Sequence, residues 1–362
     1  MKYLFILIAL CLIVLTIFAA CGSSQPESEE LEYILPSSGQ IHLFGEIHSH
    51  PPHVEMQFEF WHYFYTQHGM RHLFVEMPFF TAEFLNLWML EDDNEILNEL
   101  FSDSRGTAFD SDVNREFLLR IKAELPETVF HGTDVGHKYN TTGQRFLQHL
   151  RDTGQEGTEI YYLTQENMQQ GRDFYGPLKT NDSLRADMMV ENFIRAFDTL
   201  QGESIMSAFY GAAHVMLGYY NERLGGGPTM ASRILERYGT QVHLTDLREL
   251  EFQWLLENTD TTEKIIGDTV FEAIFVGKSY IYQWLPWYLK REFYLIKNAY
   301  EYFSSHPQTG KVLPFDDYPF PVEIGQVFAI RYTFVNGNIR MEYYRASGRI
   351  RQGQDITEEF RV

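Results

Sequence analysis

Four short apolar runs in this sequence end in a carboxylate or an imidazole, three of them beside a glycine. The first closes on Gly45-Glu46-Ile47-His48. The second closes on Glu76, just before Met77-Pro78. The third reads His131-Gly132-Thr133-Asp134, and the fourth Gly211-Ala212-Ala213-His214. Taken singly such residues are commonplace, since a histidine after a strand usually serves the local hydrogen bonding. Four of them at successive strand ends form a chemical set. A carboxylate beside an imidazole in a partly desolvated cleft suits general base work on water. Glu46, His48, Glu76 and His214 are equally a ligand set for a divalent metal. Glycine at the turns lets the backbone bend sharply and lets a substrate approach.

The elements that must position these groups follow from hydrophobic periodicity. Residues 41–45 (IHLFG), 71–76 (RHLFVE), 127–132 (ETVFHG) and 204–211 (SIMSAFYG) read as strands, with further strands at 241–245 and 271–276. Helical patterns cover 54–67, 81–100, 113–125, 155–171, 182–200 and 230–238, the last ended by Gly239. Continuous apolar strands alternating with amphipathic helices predict an α/β fold, a mainly parallel sheet with helices on both faces. Ligands of such sheets bind beyond the carboxyl ends of the strands, which gathers the four polar ends on one rim. Residues 278–362 change character. Residues 280–303 are dense in aromatics and read as helical, and Asn336-Gly337 between 327–334 and 338–344 marks a β-hairpin. This segment is expected to be a C-terminal helix and β-hairpin extension to a domain spanning 35–277.

GEIH, then a helix, then VEMP resembles the erythromycin esterase/ChaN/Tiki superfamily, whose hallmark is a pair of GxxH motifs with acids nearby. GEIH and GAAH match both motifs, and HGTD resembles the strand that ends in Gly-x-Asp. Residues 185–192 (RADMMVEN) and 230–239 (MASRILERYG) resemble further segments of the esterase-like members. The resemblance runs from about residue 41 to 276 and leaves the extension uncovered. It implies catalytic roles for Glu46 and His48, a second acid in Glu76, a partner histidine in His214, and Arg185 fixing a substrate or a carboxylate. An internal salt bridge is the alternative for Arg185. The superfamily includes ester hydrolases that need no cofactor, peptidases that use a divalent cation (here on His48, Glu76 and His214), and haem-binding proteins. His50, His53 and Asp134 are expected to line the substrate site, the two histidines flanking Pro51-Pro52 on a loop.

Charge and cysteine content narrow the setting. The formal charge is −21, from 29 basic and 50 acidic residues, a field that repels nucleic acid and anionic headgroups. Lys2 precedes an apolar run that ends in Phe18-Ala19-Ala20-Cys21-Gly22. That pattern resembles the lipobox of bacterial lipoproteins. It implies a signal peptide over 1–20, diacylglycerol and palmitate on Cys21, and attachment to a membrane outside the cytoplasm. A polar tether over 21–34 follows. The other cysteine, Cys11, lies within the signal peptide, so no disulfide is available. No GxSxG elbow, phosphate-binding GxxxxGK[ST] loop or HExxH helix occurs. The expectation is a lipid-anchored hydrolase that activates water with Glu46 and His48 and cleaves an ester, or a peptide, bond of a small-molecule or peptide substrate. The alternative is a haem- or iron-capturing lipoprotein, given the many histidines and tyrosines.

Overall fold

Alternation within the apolar runs sets the architecture. In the computed structural model, which describes residues 39–177, 182–219, 226–280, 288–351 and 353–362, six strands form one sheet. They are β1 (Ile41–Glu46), β2 (His72–Pro78), β3 (Val129–Asp134), β4 (Ile205–Ala208), β5 (Tyr210–Gly211) and β6 (Val242–Asp246). The order is β3-β2-β4-β1, with β6 beyond β1 and the two-residue β5 running on from β4 along the end of β1. Every pairing is parallel. Successive strand residues point to opposite faces, and each face finds its own core. Phe44, Leu73, Val75, Met206 and Ala208 pack with Phe58, Trp61, Phe80 and Phe117 on one side. Ile41, Leu43, Phe74 and Ile205 pack with Met189, Phe193 and Ile234 on the other. The predicted α/β sheet covered on both faces is therefore present.

Helix boundaries depart from the periodicity in two places. The stretch 81–100 is two helices, Phe79–Leu90 and Glu95–Asp103, parted by the acidic turn Glu91-Asp92-Asp93-Asn94. A helix at Thr142–Asp152 precedes the one at Glu159–Tyr175, where the sequence suggested only 155–171. The run 204–211 is also interrupted. Phe209 has φ 65°, a left-handed conformation uncommon outside glycine, and it separates β4 from β5.

The C-terminal region corrects the sequence reading. Instead of a helix with one hairpin it builds a second, antiparallel sheet of seven strands. These are β7 (Thr262–Ile266), β8 (Thr269–Tyr280), β9 (Tyr288–Ile296), β10 (Gln308–Pro314), β11 (Val327–Phe334), β12 (Ile339–Arg351) and β13 (Gln354–Phe360), ordered β10-β13-β12-β11-β9-β8-β7. The β11–β12 hairpin lies where Asn336-Gly337 predicted it. Residues 271–276, expected in the parallel sheet, belong to β8 of this second sheet. The expected helix over 280–303 is contradicted by β9 and by a single helical turn at Tyr300–Phe303. Residues 281–287 of that stretch lie outside the described residues.

The helix Leu247–Asn258 joins the two sheets. Leu247 is buried in the core of the parallel sheet, and Phe252 is buried in that of the antiparallel one, its ring stacked 4.9 Å from Phe320. Asp246 caps its first turn by accepting from the Arg248 N–H at 3.0 Å. Among the described residues no helix is long and apolar enough to cross a membrane. Cys21 and the leader lie outside the described residues.

Candidate functional site

The parallel register brings the two GxxH motifs side by side. Gly45 stands opposite Tyr210 and Glu46 opposite Gly211 at the carboxyl edge of the sheet. Glu46 is buried at the end of β1. Its Oε1 lies 3.0 Å from His48 Nδ1, and its Oε2 accepts from the Gln57 side-chain amide. Gln57 is fully buried and its own Oε1 accepts the Phe209 N–H at 2.7 Å. One amide therefore ties the first acid to the left-handed junction that aims the second motif. Beyond His48 the chain turns at Ser49, which has φ 57° and whose Oγ donates to the Ala108 carbonyl while accepting from Asn114.

The His48 imidazole rests over Gly211. A Cβ on Gly211 would stand 3.2 Å from His48 Nε2 and 3.8 Å from Glu76 Oε2. Here glycine is required by close approach. The His48 side chain is 41 % exposed and that of Glu46 only 1 %, so within this pair the imidazole meets a substrate. Burial opposes a charge on His48, but the hydrogen bond to Glu46 and the charges of Glu76 and Glu46 outweigh it and raise the imidazole to about 9. The balance favours the imidazolium form of His48.

Arg185, on the helix Asp182–Asp198, organises the other half. Its Nε and Nη2 donate to the two oxygens of Asp134 at 2.9 and 2.8 Å, and Nη2 also donates to Glu76 Oε1 at 2.8 Å. Glu76 Oε2 accepts the Gly211 N–H at 2.7 Å. His214 Nε2 lies 3.4 Å from both Glu76 Oε1 and Arg185 Nη1. Burial alone would raise the Glu76 carboxyl, but His214, Arg185 and His48 together hold it well below the usual range. Asp134 is fixed further by its carbonyl, which accepts from the Asn167 amide at 2.8 Å. The internal salt bridge considered for Arg185 is thus present, and it sits inside the site.

Glu46, His48, Glu76, Asp134, Arg185 and His214 are brought together at this rim. The roles expected for His53 and Asp134 as substrate-lining groups are not upheld. Asp134 is buried against Arg185. His53 has no exposed surface, because Pro51 starts a helix rather than continuing a loop. Its partner is Glu251, from the helix Leu247–Asn258. His50 Nε2 lies 2.8 Å and His53 Nε2 3.0 Å from Glu251 Oε2. Nothing local marked Glu251 or Gln57, whose contacts to His50 and Phe209 span 201 and 152 residues.

Among the described residues two donor sets invite a metal, His50, His53 and Glu251 being a possible triad, and in each the observed partners oppose one. In the set expected from the sequence, Arg185 stands against both Glu76 and His214, so a fixed guanidinium takes the place of the ion and repels another cation. The second set is His50, His53 and Glu251, whose donor atoms lie within 4.8 Å of one another. There the His53 Nδ1 accepts the Ile47 backbone N–H at 2.9 Å. A backbone N–H only donates, so the proton of neutral His53 resides on Nε2 and leaves no lone pair for a metal.

No family model matches the sequence, and no curated protein matches it. Similar solved structures include a mutant erythromycin esterase in its open conformation, at 12 % identity over 65 % of this chain and 76 % of that one, with a TM-score of 0.43. A protein from Bacillus cereus is similar at 15 % identity over 57 % of this chain, with a TM-score of 0.39. A succinoglycan biosynthesis protein is similar at 15 % identity over 56 %, with a TM-score of 0.38. The chain spans 64 % of the length of each of these last two. These likenesses concern the fold alone.

Proposed function

We propose that this protein is an extracytoplasmic, lipid-anchored hydrolase that cleaves an ester bond at the rim formed by Glu46, His48, Glu76, Arg185 and His214. The observation that carries the reading is the meeting of the two motifs on Gly211, with a solvent-facing imidazolium held between two carboxylates. The sequence reading had Glu46 and His48 activate water. The charge on His48 changes its part, because an imidazolium donates a proton and does not take one.

Water attacks the ester carbonyl carbon and gives its proton to His214. The carbon–oxygen bond to the alcohol breaks, and the departing oxygen takes the proton of His48. Exchange with solvent resets both imidazoles. Glu46 stabilises the His48 charge, and Arg185 fixes Glu76 and Asp134.

The test compares leaving groups in the purified chain. A nitrophenyl ester departs without a proton, whereas an alkyl ester needs one. His48→Ala is expected to lose far more turnover on the alkyl ester, and His214→Ala to lose both, with melting temperatures near that of the parent. No hydrolysis of any ester by the parent, or equal losses on both esters in His48→Ala, would overturn the assignment.

A further inference from the structure

Glu251 belongs to neither GxxH motif and contacts none of the rim carboxylates, yet it is held at the back of the first motif. Its carboxylate lies 3.0 Å from Nε2 of His53, which has no exposed surface. On the other side of that ring, Nδ1 accepts the N–H of Ile47 at 2.9 Å. Ile47 is the residue between Glu46 and His48. The arrangement is a buried relay from a carboxylate, through an imidazole, to the peptide that joins the two reacting groups.

We infer that Glu251 is a positioning residue of the hydrolytic site, acting through the tautomer of His53 on the backbone at Ile47. This rests on the function proposed above for its kinetic part only. The physical chain has three links. A neutral imidazole carries one proton on either nitrogen. A carboxylate oxygen only accepts, so Glu251 Oε2, 3.0 Å from Nε2, favours a proton on that nitrogen. That leaves the Nδ1 lone pair for Ile47. Without the carboxylate the proton is free to sit on Nδ1, where it opposes the Ile47 N–H. The peptide must then turn, and with it the 3.0 Å contact between His48 Nδ1 and Glu46.

The support for Glu251 is rigid. Leu247 anchors its helix in the core of the parallel sheet, and Phe252 anchors it in that of the antiparallel sheet. Opposition from burial notwithstanding, His50 and His53 hold the Glu251 carboxyl down to about 2, so the charge is present throughout the working range of pH.

The experiment uses the full chain with nitrogen-15 histidine and reads the ring-nitrogen shifts of His53. The parent is expected to show the Nε2–H tautomer, Glu251→Leu a mixture with a displaced Ile47 amide resonance, and Glu251→Gln, whose carbonyl still accepts, a parent-like spectrum. In turnover, Glu251→Leu is expected to lose on the order of tenfold to a hundredfold in kcat with KM nearly unchanged, with Glu251→Gln largely restored. A His53 in the Nδ1–H form in the parent overturns the inference, and this reading needs no variant to fold. So does a parent-like His53 tautomer in Glu251→Leu. Both outcomes stand whether or not an ester is hydrolysed, so failure here is distinct from failure of the hydrolase assignment.

Discussion

Arg185 grips Asp134 through two side-by-side hydrogen bonds of 2.9 and 2.8 Å, one to each carboxylate oxygen. With Glu76 on the same guanidinium, the three charges form one buried unit. Removing the cation strands two buried anions, which costs about 3–5 kcal/mol. Arg185→Ala is expected to lose stability of that order in denaturant titrations, and Arg185→Lys less, because a lysine keeps the charge but not the paired geometry. An Arg185→Ala chain as stable as the parent would show that the unit contributes nothing net.

Gly211 offers a cleaner probe of the reacting geometry. Its backbone, at φ −57° and ψ 139°, suits alanine. The added Cβ would meet His48 Nε2 at 3.2 Å, tighter than ordinary van der Waals contact. Gly211→Ala is therefore expected to displace His48 and lower kcat on the order of tenfold or more, with an unfolding midpoint close to that of the parent. Unchanged kinetics would mean that the ring yields freely.

Gln57 is expected to matter for stability as well as for turnover. Gln57→Leu leaves Glu46 Oε2 and the Phe209 N–H without their partner, at about 1–3 kcal/mol for each buried group. Phe209 is held in a left-handed conformation, so the loss of its bond is also expected to loosen the junction before Gly211. Amide exchange at Phe209 checks this directly, with faster exchange expected in the variant.

Acid should weaken the fold through two histidines of the parallel sheet, His131 in β3 and His42 in β1. Burial, with the charge of His72, holds His131 at about 3. Burial, with His243 and His68, holds His42 at about 4. Unfolded, each titrates near 6.5. The folded chain refuses protons that the unfolded chain accepts, so stability is intact above 6.5 and falls as the pH drops from there towards 4 and 3. Each group contributes a slope of about 1.4 kcal/mol per pH unit. His131→Gln is expected to flatten the acid limb in denaturation curves taken from pH 7 to 4. A limb of unchanged steepness would exclude His131 as a source.

The rim was legible from sequence because each of Glu46, Glu76, Asp134 and His214 lies within three residues of the carboxyl end of a strand, and parallel strands bring such ends together. Arg185 was legible from the RADMMVEN segment. Gln57 and Glu251 were not, because nothing local marks a buried amide in one helix or a carboxylate in another as a partner of residue 46 or 53. The aromatic stretch near 290 misled for a physical reason. Arg291 and Phe293 are buried while Lys290, Glu292 and Tyr294 are only partly so, a period of two that aromatic density masks. The acidic break at residues 91–94 was overlooked because apolar residues at helical spacing, Leu97, Leu100 and Phe101, follow it at once.

Strand direction gives the molecule a front and a back. Described chain enters β1 at Ile41, and the acid at its other end, Glu46, stands about 17 Å further on at ~3.3 Å per residue. Every parallel neighbour repeats that polarity. A chain acylated at Cys21, as proposed, would carry its anchor on the side from which β1 starts, the edge opposite the one that holds the acids.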